Sequence, residues 1–207
     1  NQMQAVGAIP KKKEVGIIDH PMPKLSHDDH VIIMSLDVGI CGTDREICTF
    51  VYGDPPQESD YLVLGHESMG VIEEVGSSVQ HLKPGDLVVP SVRRPCVHDH
   101  CAPCQADLQD FCSTGHFVER GIKMSHGFMT EYYSEQEKFL NFVPSSLRDV
   151  AVLVEPLTIV EKAMSQVWPT QSRLPWVKHK NESGRPSGKG LNAVVLGAGP
   201  VGILGAM

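Results

Sequence analysis

His66 and Glu67 stand side by side at the end of the apolar run Tyr61-Leu-Val-Leu-Gly-His-Glu-Ser-Met-Gly70, between two glycines. An imidazole and a carboxylate delivered there have little packing use, but they suit a metal. A catalytic zinc takes about three protein donors from Cys, His and carboxylate and keeps a further position for water or substrate. Two more donors are available. Cys41 lies in the small-residue turn Gly39-Ile-Cys-Gly-Thr-Asp44, where a thiolate can approach an ion without steric cost. Glu155 is a lone carboxylate in the apolar run Val152-Leu-Val-Glu-Pro-Leu157 and needs a cation if buried. Taken singly, the thiol reads more simply as a small hydrophobe and the others as surface groups. Together they read as one metal centre.

A second cluster is local. Cys96, Cys101, Cys104 and Cys112 follow the frame Cys-x4-Cys-x2-Cys-x7-Cys, with Pro95 and Pro103 bending the backbone. Four thiolates so close in sequence fit a closed tetrahedral zinc site, which contributes folding energy to a lobe with no core of its own. His98 or His100 could stand in for one thiolate. Four free exposed thiols would be reactive, and a nucleic-acid-binding zinc ribbon helped by Arg93 and Arg94 lacks surrounding basic surface.

The third feature is Gly197-Ala-Gly-Pro-Val-Gly202, preceded by the strand-like Leu191-Asn-Ala-Val-Val-Leu196 and followed by a helical start at Ile203. In that context Gly197, Ala198, Gly199, Pro200, Val201 and Gly202 read as a dinucleotide turn: the glycines allow a tight bend and close approach of a pyrophosphate to the helix N–H groups. The residue about 20 positions on that would read the ribose lies beyond the sequence given.

Composition narrows the class. The 207 residues are 41% hydrophobic and 21% charged, with net charge −7 and scattered basic residues, so no footprint for nucleic acid is visible. No apolar run reaches the roughly 18 residues of a membrane span, and no signal-peptide core opens the chain. The expectation is a cytoplasmic, reducing setting, in which the six cysteines are ligands rather than disulfides.

The elements that must position these donors are mostly strands. A hairpin is expected from Met3 to Val15, turning at Lys11-Lys-Lys13 and ended by His20-Pro-Met-Pro23; a long strand from Asp29 to Gly39; a short helix with Asp44 as its cap. Further strands are expected to His66, over Met69–Gly76, after Lys83, over Gly127–Tyr133 and over Phe139–Pro144. Helices follow over Ser146–Leu153 and Leu157–Val167, with Ile159, Val160, Ala163, Met164 and Val167 as a core stripe and Glu155 at their junction. Residues 169–190 are polar and rich in breakers, a linker. The expected domains are 1–168 with a zinc lobe at 93–115, then 191–207 as the start of a dinucleotide domain. The chemistry would therefore sit in a small, largely antiparallel barrel or sandwich.

Gly39-Ile-Cys-Gly-Thr-Asp44, Gly65-His-Glu67, the four-cysteine lobe and Gly197-Ala-Gly-Pro-Val-Gly202, in this order, resemble the zinc-dependent medium-chain alcohol dehydrogenases. Within them the sequence is most similar to the glucose-oxidising branch, through Asp110-Phe-Cys-Ser-Thr-Gly115, Gly121-Ile-Lys-Met-Ser-His-Gly-Phe-Met129 and Glu155-Pro-Leu-Thr-Ile-Val-Glu-Lys162. The resemblance implies an α+β, mostly β GroES-like catalytic domain followed by a truncated α/β Rossmann domain. It also implies a dimer or tetramer. Catalytic zinc would sit on Cys41, His66 and a carboxylate, Glu67 or Glu155, and structural zinc on Cys96, Cys101, Cys104 and Cys112. Thr43 would relay a proton, Glu119 and Glu155 would meet sugar hydroxyls, and NAD or NADP would take the hydride. Three departures stand out: the lengthened first gap of the cysteine lobe, Val92 where sugar-oxidising relatives carry Asn, and Glu46 where many alcohol dehydrogenases place a relay His. The last favours a sugar.

The expected reaction is oxidation of an aldose such as glucose at C1 to the lactone. Polyol or threonine dehydrogenation is the rival within the family, and a non-catalytic zinc module the rival outside it. With only the beginning of a cofactor domain, these 207 residues are expected to bind zinc and turn over little.

Overall fold

A computed structural model describes residues 1–175 and 191–207. They divide into two compact units, Asn1–Leu153 and Val154–Met207. The first unit is built from eleven strands: β1 (Gln2–Ile9), β2 (Glu14–Pro21), β3 (His30–Gly39), β4 (Leu62–Val63), β5 (Glu67–Val75), β6 (Leu87–Pro90), β7 (Arg93–Arg94), β8 (Val118–Arg120), β9 (Met124–Ser125), β10 (Tyr132–Gln136) and β11 (Leu140–Val143). Two short helices join them, α1 (Gly42–Cys48) and α2 (Ala102–Gln105). A 3-10 stretch, Ser145–Leu153, closes the unit. The second unit holds α3 (Val154–Gln171) and α4 (Pro200–Ala206).

Three sheets form, ordered β2-β1-β4, β10-β3-β5-β6-β11 and β7-β8-β9, antiparallel except for β8 with β9. The hairpin turns at the lysines as expected, with Ile9 opposite Glu14. In the central sheet β3 and β5 pair from Val31 opposite Val75 to Gly39 opposite Glu67, with two irregularities that bend them. Val31, Ile33, Ile72, Val88, Phe128 and Tyr133 alternate inward to form the main core. A second cluster, Ala8, Ile47, Leu62, Leu64 and Ile122, lies under α1.

Several expectations are corrected. Glu67 opens β5, two residues ahead of the expected start, so His66 lies in the connection between β4 and β5. Gly127–Glu131 is not strand: Gly127, Phe128 and Met129 donate to the carbonyls of Val63, Gly65 and Leu64 in an irregular order, and regular pairing begins at Tyr132. Crowding explains this, because a Cβ on Gly127 would lie 2.3 Å from the carbonyl oxygens of both Leu64 and Gly65. The stretch 145–153 winds as 3-10 rather than α-helix, and α3 starts at Val154, placing Glu155 in its first turn rather than at a helix junction. The α3 stripe is not core: Ile159, Met164 and Val167 are about half exposed, since the short α4 meets α3 near Val160 and covers little else.

Residues 191–198 form no strand and Val194 and Leu196 are exposed. A buried parallel strand takes its hydrogen bonds from neighbours, and among the described residues none pairs with this segment. The glycine turn is nevertheless formed. Gly197 has φ +115°, and a Cβ on Gly202 would strike the Gly197 carbonyl oxygen at 2.1 Å. The first compact unit ends at Leu153, short of the expected boundary at 168, and most of the expected linker, from residue 176 on, lies outside the described residues.

Candidate metal centres

The donors of the first centre are presented by α1 and by the connection after β4. Cys41 is the N-cap of α1, with extended backbone, and Asp44 is the third helical residue. The Asp44 carboxylate accepts the Cys41 N–H at 2.9 Å while the Asp44 N–H reaches back to the Cys41 sulfur. Asp44 therefore acts from inside the helix rather than as its cap, which is the better geometry because a side chain at this position reaches the N-cap amide.

His66 is buried and held through its neighbours' backbone. Leu64 donates to Val6 and its carbonyl accepts from Met129; Gly65 accepts from Phe128 at 2.9 Å. Gly65 adopts φ +85° with Met129 and Val38 packed where a Cβ would go, so only glycine lets the chain make this bend. The bend sets His66 Nε2 3.2 Å from Cys41 Sγ and His66 Nδ1 3.5 Å from Asp44 Oδ1.

Cys41, Asp44 and His66 present donor atoms within 4.8 Å of one another. Zinc bonds of about 2.3 Å to sulfur and 2.0 Å to nitrogen at a tetrahedral angle put the two atoms roughly 3.5 Å apart, close to the spacing seen. With Nδ1 turned to a carboxylate, Nε2 is left to bind, the usual support behind a zinc-bound histidine. The residues fit zinc. Burial pushes the Asp44 carboxyl up, but the His66 imidazole and the Cys41 amide outweigh it and hold the group below the usual carboxylate range. Burial pushes the Cys41 thiol up, offset in part by the Asp44 amide and the Thr43 hydroxyl, so Thr43 sits against the sulfur.

Glu67 is half-buried, its carboxyl raised chiefly by burial. It folds over Gly39, its cross-strand partner, where a Cβ would meet Glu67 Oε2 at 2.2 Å. Glu155 is half-buried in α3 of the second unit. Glu119, in β8, is committed to Arg93, accepting from Nε at 3.0 Å and from the terminal nitrogen at 2.8 Å. Arg93 also lies 3.3 Å from Asp110 and over the Phe117 ring. Glu46 is exposed, and Val92 packs on the cluster beneath α1.

The four cysteines of the second cluster are brought together. The sulfurs of Cys96, Cys101, Cys104 and Cys112 all lie within 4.8 Å of one another, Cys101 and Cys112 at 3.9 Å. Two thiolates across a tetrahedral zinc stand about 3.8 Å apart. Cys104 accepts the Cys96 N–H at 3.4 Å and Cys101 the Ser113 hydroxyl at 3.5 Å. Sharing one small volume, the thiols titrate as a set: the Ser113 hydroxyl pulls Cys101 down to about 5 and burial pushes Cys104 up to about 12. His98 and His100 are not needed to complete this set of four, and His98 turns instead to His116, their ring nitrogens 2.7 Å apart.

Asp44, which the sequence alone presents only as a helix cap, is brought to the same cluster as Cys41 and His66. The signal for this is a carboxylate three residues after Cys41, on the same turn.

A cysteine–histidine cluster backed by a carboxylate, a separate four-cysteine lobe and a mostly β scaffold are the features of a GroES-like domain. The chain belongs to the alcohol dehydrogenase GroES-like domain family, whose match runs over residues 27–145. It is 43% identical over 206 residues to glucose 1-dehydrogenase of Methanocella arvoryzae and 40% identical to that of Thermoproteus tenax, in each case covering 99% of this chain and 54% of the relative. The chain thus spans about half the length of these curated relatives. Among solved structures it resembles Haloferax mediterranei glucose dehydrogenase in complex with NADP, Zn and gluconolactone, with a TM-score of 0.76 at 33% identity, covering 84% of this chain and 48% of that one.

Proposed function

We propose that this chain is the catalytic part of a zinc-dependent glucose 1-dehydrogenase, which oxidises an aldose at C1 to the lactone and passes hydride to NAD or NADP. The observation that carries the reading is the 3.2 Å approach of Cys41 Sγ to His66 Nε2 with Asp44 behind the imidazole. Cys41, His66 and a carboxylate, Glu67 or Glu155, would hold the ion. Bound there, zinc would supply the Lewis acidity that makes a C1 hydroxyl easier to deprotonate, and a nicotinamide dinucleotide would supply the hydride acceptor.

The chain's own residues do the rest. Asp44 fixes the tautomer and ring plane of His66. Thr43, beside the Cys41 sulfur, carries a hydroxyl that takes the substrate proton and hands it outward. Glu119 offers a carboxylate for sugar hydroxyls, oriented by Arg93. Ala198, Pro200 and Val201 shape the turn whose glycines admit a pyrophosphate, and Gly202 keeps α4 tight against that turn. Cys96, Cys101, Cys104 and Cys112 would hold a structural zinc. No described helix is long and apolar enough to cross a membrane. With six free thiols, five of them at ligand spacing, we place the protein in the cytoplasm, and by its family resemblance as a homodimer or tetramer.

Metal content tests the reading. Two zinc ions per chain are expected, falling to one when Cys41 and His66 are both replaced. In the cobalt-substituted chain, gluconolactone or glucose should shift the visible spectrum of the Cys41 centre. A shift with sorbitol or threonine and none with glucose or its lactone would overturn the substrate assignment.

A further inference from the structure

A cavity of about 320 Å³ opens beside β7, β8 and β10, with Arg94, Arg120, Lys138, Glu135, Ser125 and Phe139 on its wall. Its charge is unlike the rest of the molecule. The chain carries −7 overall, yet this wall sets three cations against the single carboxylate of Glu135. Arg94 and Glu135 have side chains only 10% and 7% exposed, and their ion pair is short and direct. Arg120, 17% exposed, reaches the same Glu135 oxygen only at 3.7 Å, too far for a hydrogen bond, and its Nε is buried with no hydrogen-bond partner. Arg94 and Lys138 crowd one aromatic ring, 4.1 and 4.8 Å from the centre of Phe139.

The neighbouring groups do not neutralise this wall. Of the carboxylates next to wall residues in sequence, Asp29 is engaged by His30 at 2.7 Å and by the Gln136 side-chain amide, and Glu137 accepts the backbone N–H groups of Gln80, His81 and Leu82. A buried guanidinium short of acceptors, with two more cations close by, is costly until an anion completes the network. Glu135 cancels one of the three charges. A dianion cancels the remaining two, whereas a monocarboxylate leaves one over. Ser125 adds a hydroxyl donor, and the rim position of Lys138, an exposed residue, leaves the cavity open to solvent.

We propose that this cavity is an anion subsite that takes a phosphate dianion, either free or as the monoester of a small molecule. The test is calorimetric titration of the zinc-loaded chain at constant ionic strength, with inorganic phosphate in one arm and phenyl phosphate in the other. One saturable site per chain is expected. The tighter arm identifies the source, free ion or monoester. Lys138→Met removes a rim charge without touching the core and should weaken binding about tenfold, the size of one charge-assisted contact. Lys83→Met, an exposed lysine elsewhere on the surface, should leave it unchanged. Heat that never saturates in either arm, unaltered binding by Lys138→Met, or equal weakening by Lys83→Met would each overturn the proposal. No arm requires turnover, so the result stands apart from the dehydrogenase reading.

Discussion

Replacing Asp44 by Asn separates its two jobs. The carboxylate is 2% exposed and accepts the Cys41 N–H at 2.9 Å while facing His66 Nδ1 at 3.5 Å. An amide oxygen in the same place can keep the bond to Cys41, so helix α1 retains its N-terminal hydrogen bond. The charge facing the imidazole is lost. Outer partners of metal-bound histidines are worth about 10–100-fold in metal affinity, or about 1.4–2.7 kcal/mol. Asp44→Asn should therefore loosen the Cys41–His66 zinc by that factor while the four-cysteine zinc stays as it was, an internal reference in the same chain. Competition against a chromophoric chelator reads both ions in one titration. A double-mutant cycle adds the stricter test. If Asp44 acts through His66, then Asp44→Asn on top of His66→Ala should cost almost nothing further. An affinity within about twofold of the parent, or fully additive losses in the double variant, would refute the reasoning.

Two other perturbations follow from local geometry. Gly65→Ala forces a side chain into φ +85° and into contact with Met129 Cγ at 2.6 Å and Val38 Cγ1 at 2.9 Å. Left-handed backbone costs about 1–2 kcal/mol and overpacking about 1–3 kcal/mol, so urea unfolding should show a loss of about 2–5 kcal/mol together with looser zinc binding at Cys41 and His66; unchanged stability would refute the turn's role. The His126 ring accepts the Val63 N–H at Nδ1, at 3.2 Å, and burial lowers its pKa to about 4 against an unfolded value of about 6.5. The unfolded chain thus binds the proton more readily. Stability from this group should be complete above about pH 6.5 and decline as pH falls toward 4, by on the order of 1 kcal/mol once solvent around the half-buried ring is discounted. His126→Gln should flatten that part of a urea-midpoint profile, and an unchanged slope would refute it.

What could be read from sequence was what local chemistry specifies. Four cysteines within seventeen residues can meet without help from the rest of the chain, and they do. Cys41 and His66 lie 25 residues apart, yet their donor types and flanking glycines marked them before any contact was known. Asp44 was harder to read, because Asp near a helix start has a cheap explanation as a cap, and only the position of His66 reveals its second partner. Leu191–Leu196 has the composition of a buried strand, but a strand is a property of pairs, and composition does not supply the neighbour. The α3 stripe failed for a related reason: periodicity shows which face is apolar, not whether anything lies against it. Gly127–Glu131 misled in the other direction, since its aromatic and β-favouring residues flank a glycine that lets the backbone press onto Leu64 and Gly65 too closely for a regular ladder.

That close approach ties His66 to the core in a way the four-cysteine lobe is not tied. Phe128 is fully buried in the main core, and its own N–H holds the Gly65 carbonyl at 2.9 Å, one residue before His66. A disturbance that shifts Phe128 therefore reaches the imidazole directly through the Gly65 carbonyl. The cysteine lobe instead carries its apolar contacts among its own sulfurs, with Cys101, Cys104 and Cys96 buried together. Loosening the main core should accordingly release the Cys41–His66 ion well before the other. The two metals would then report on two different parts of one unit, the first on packing and the second on local coordination alone.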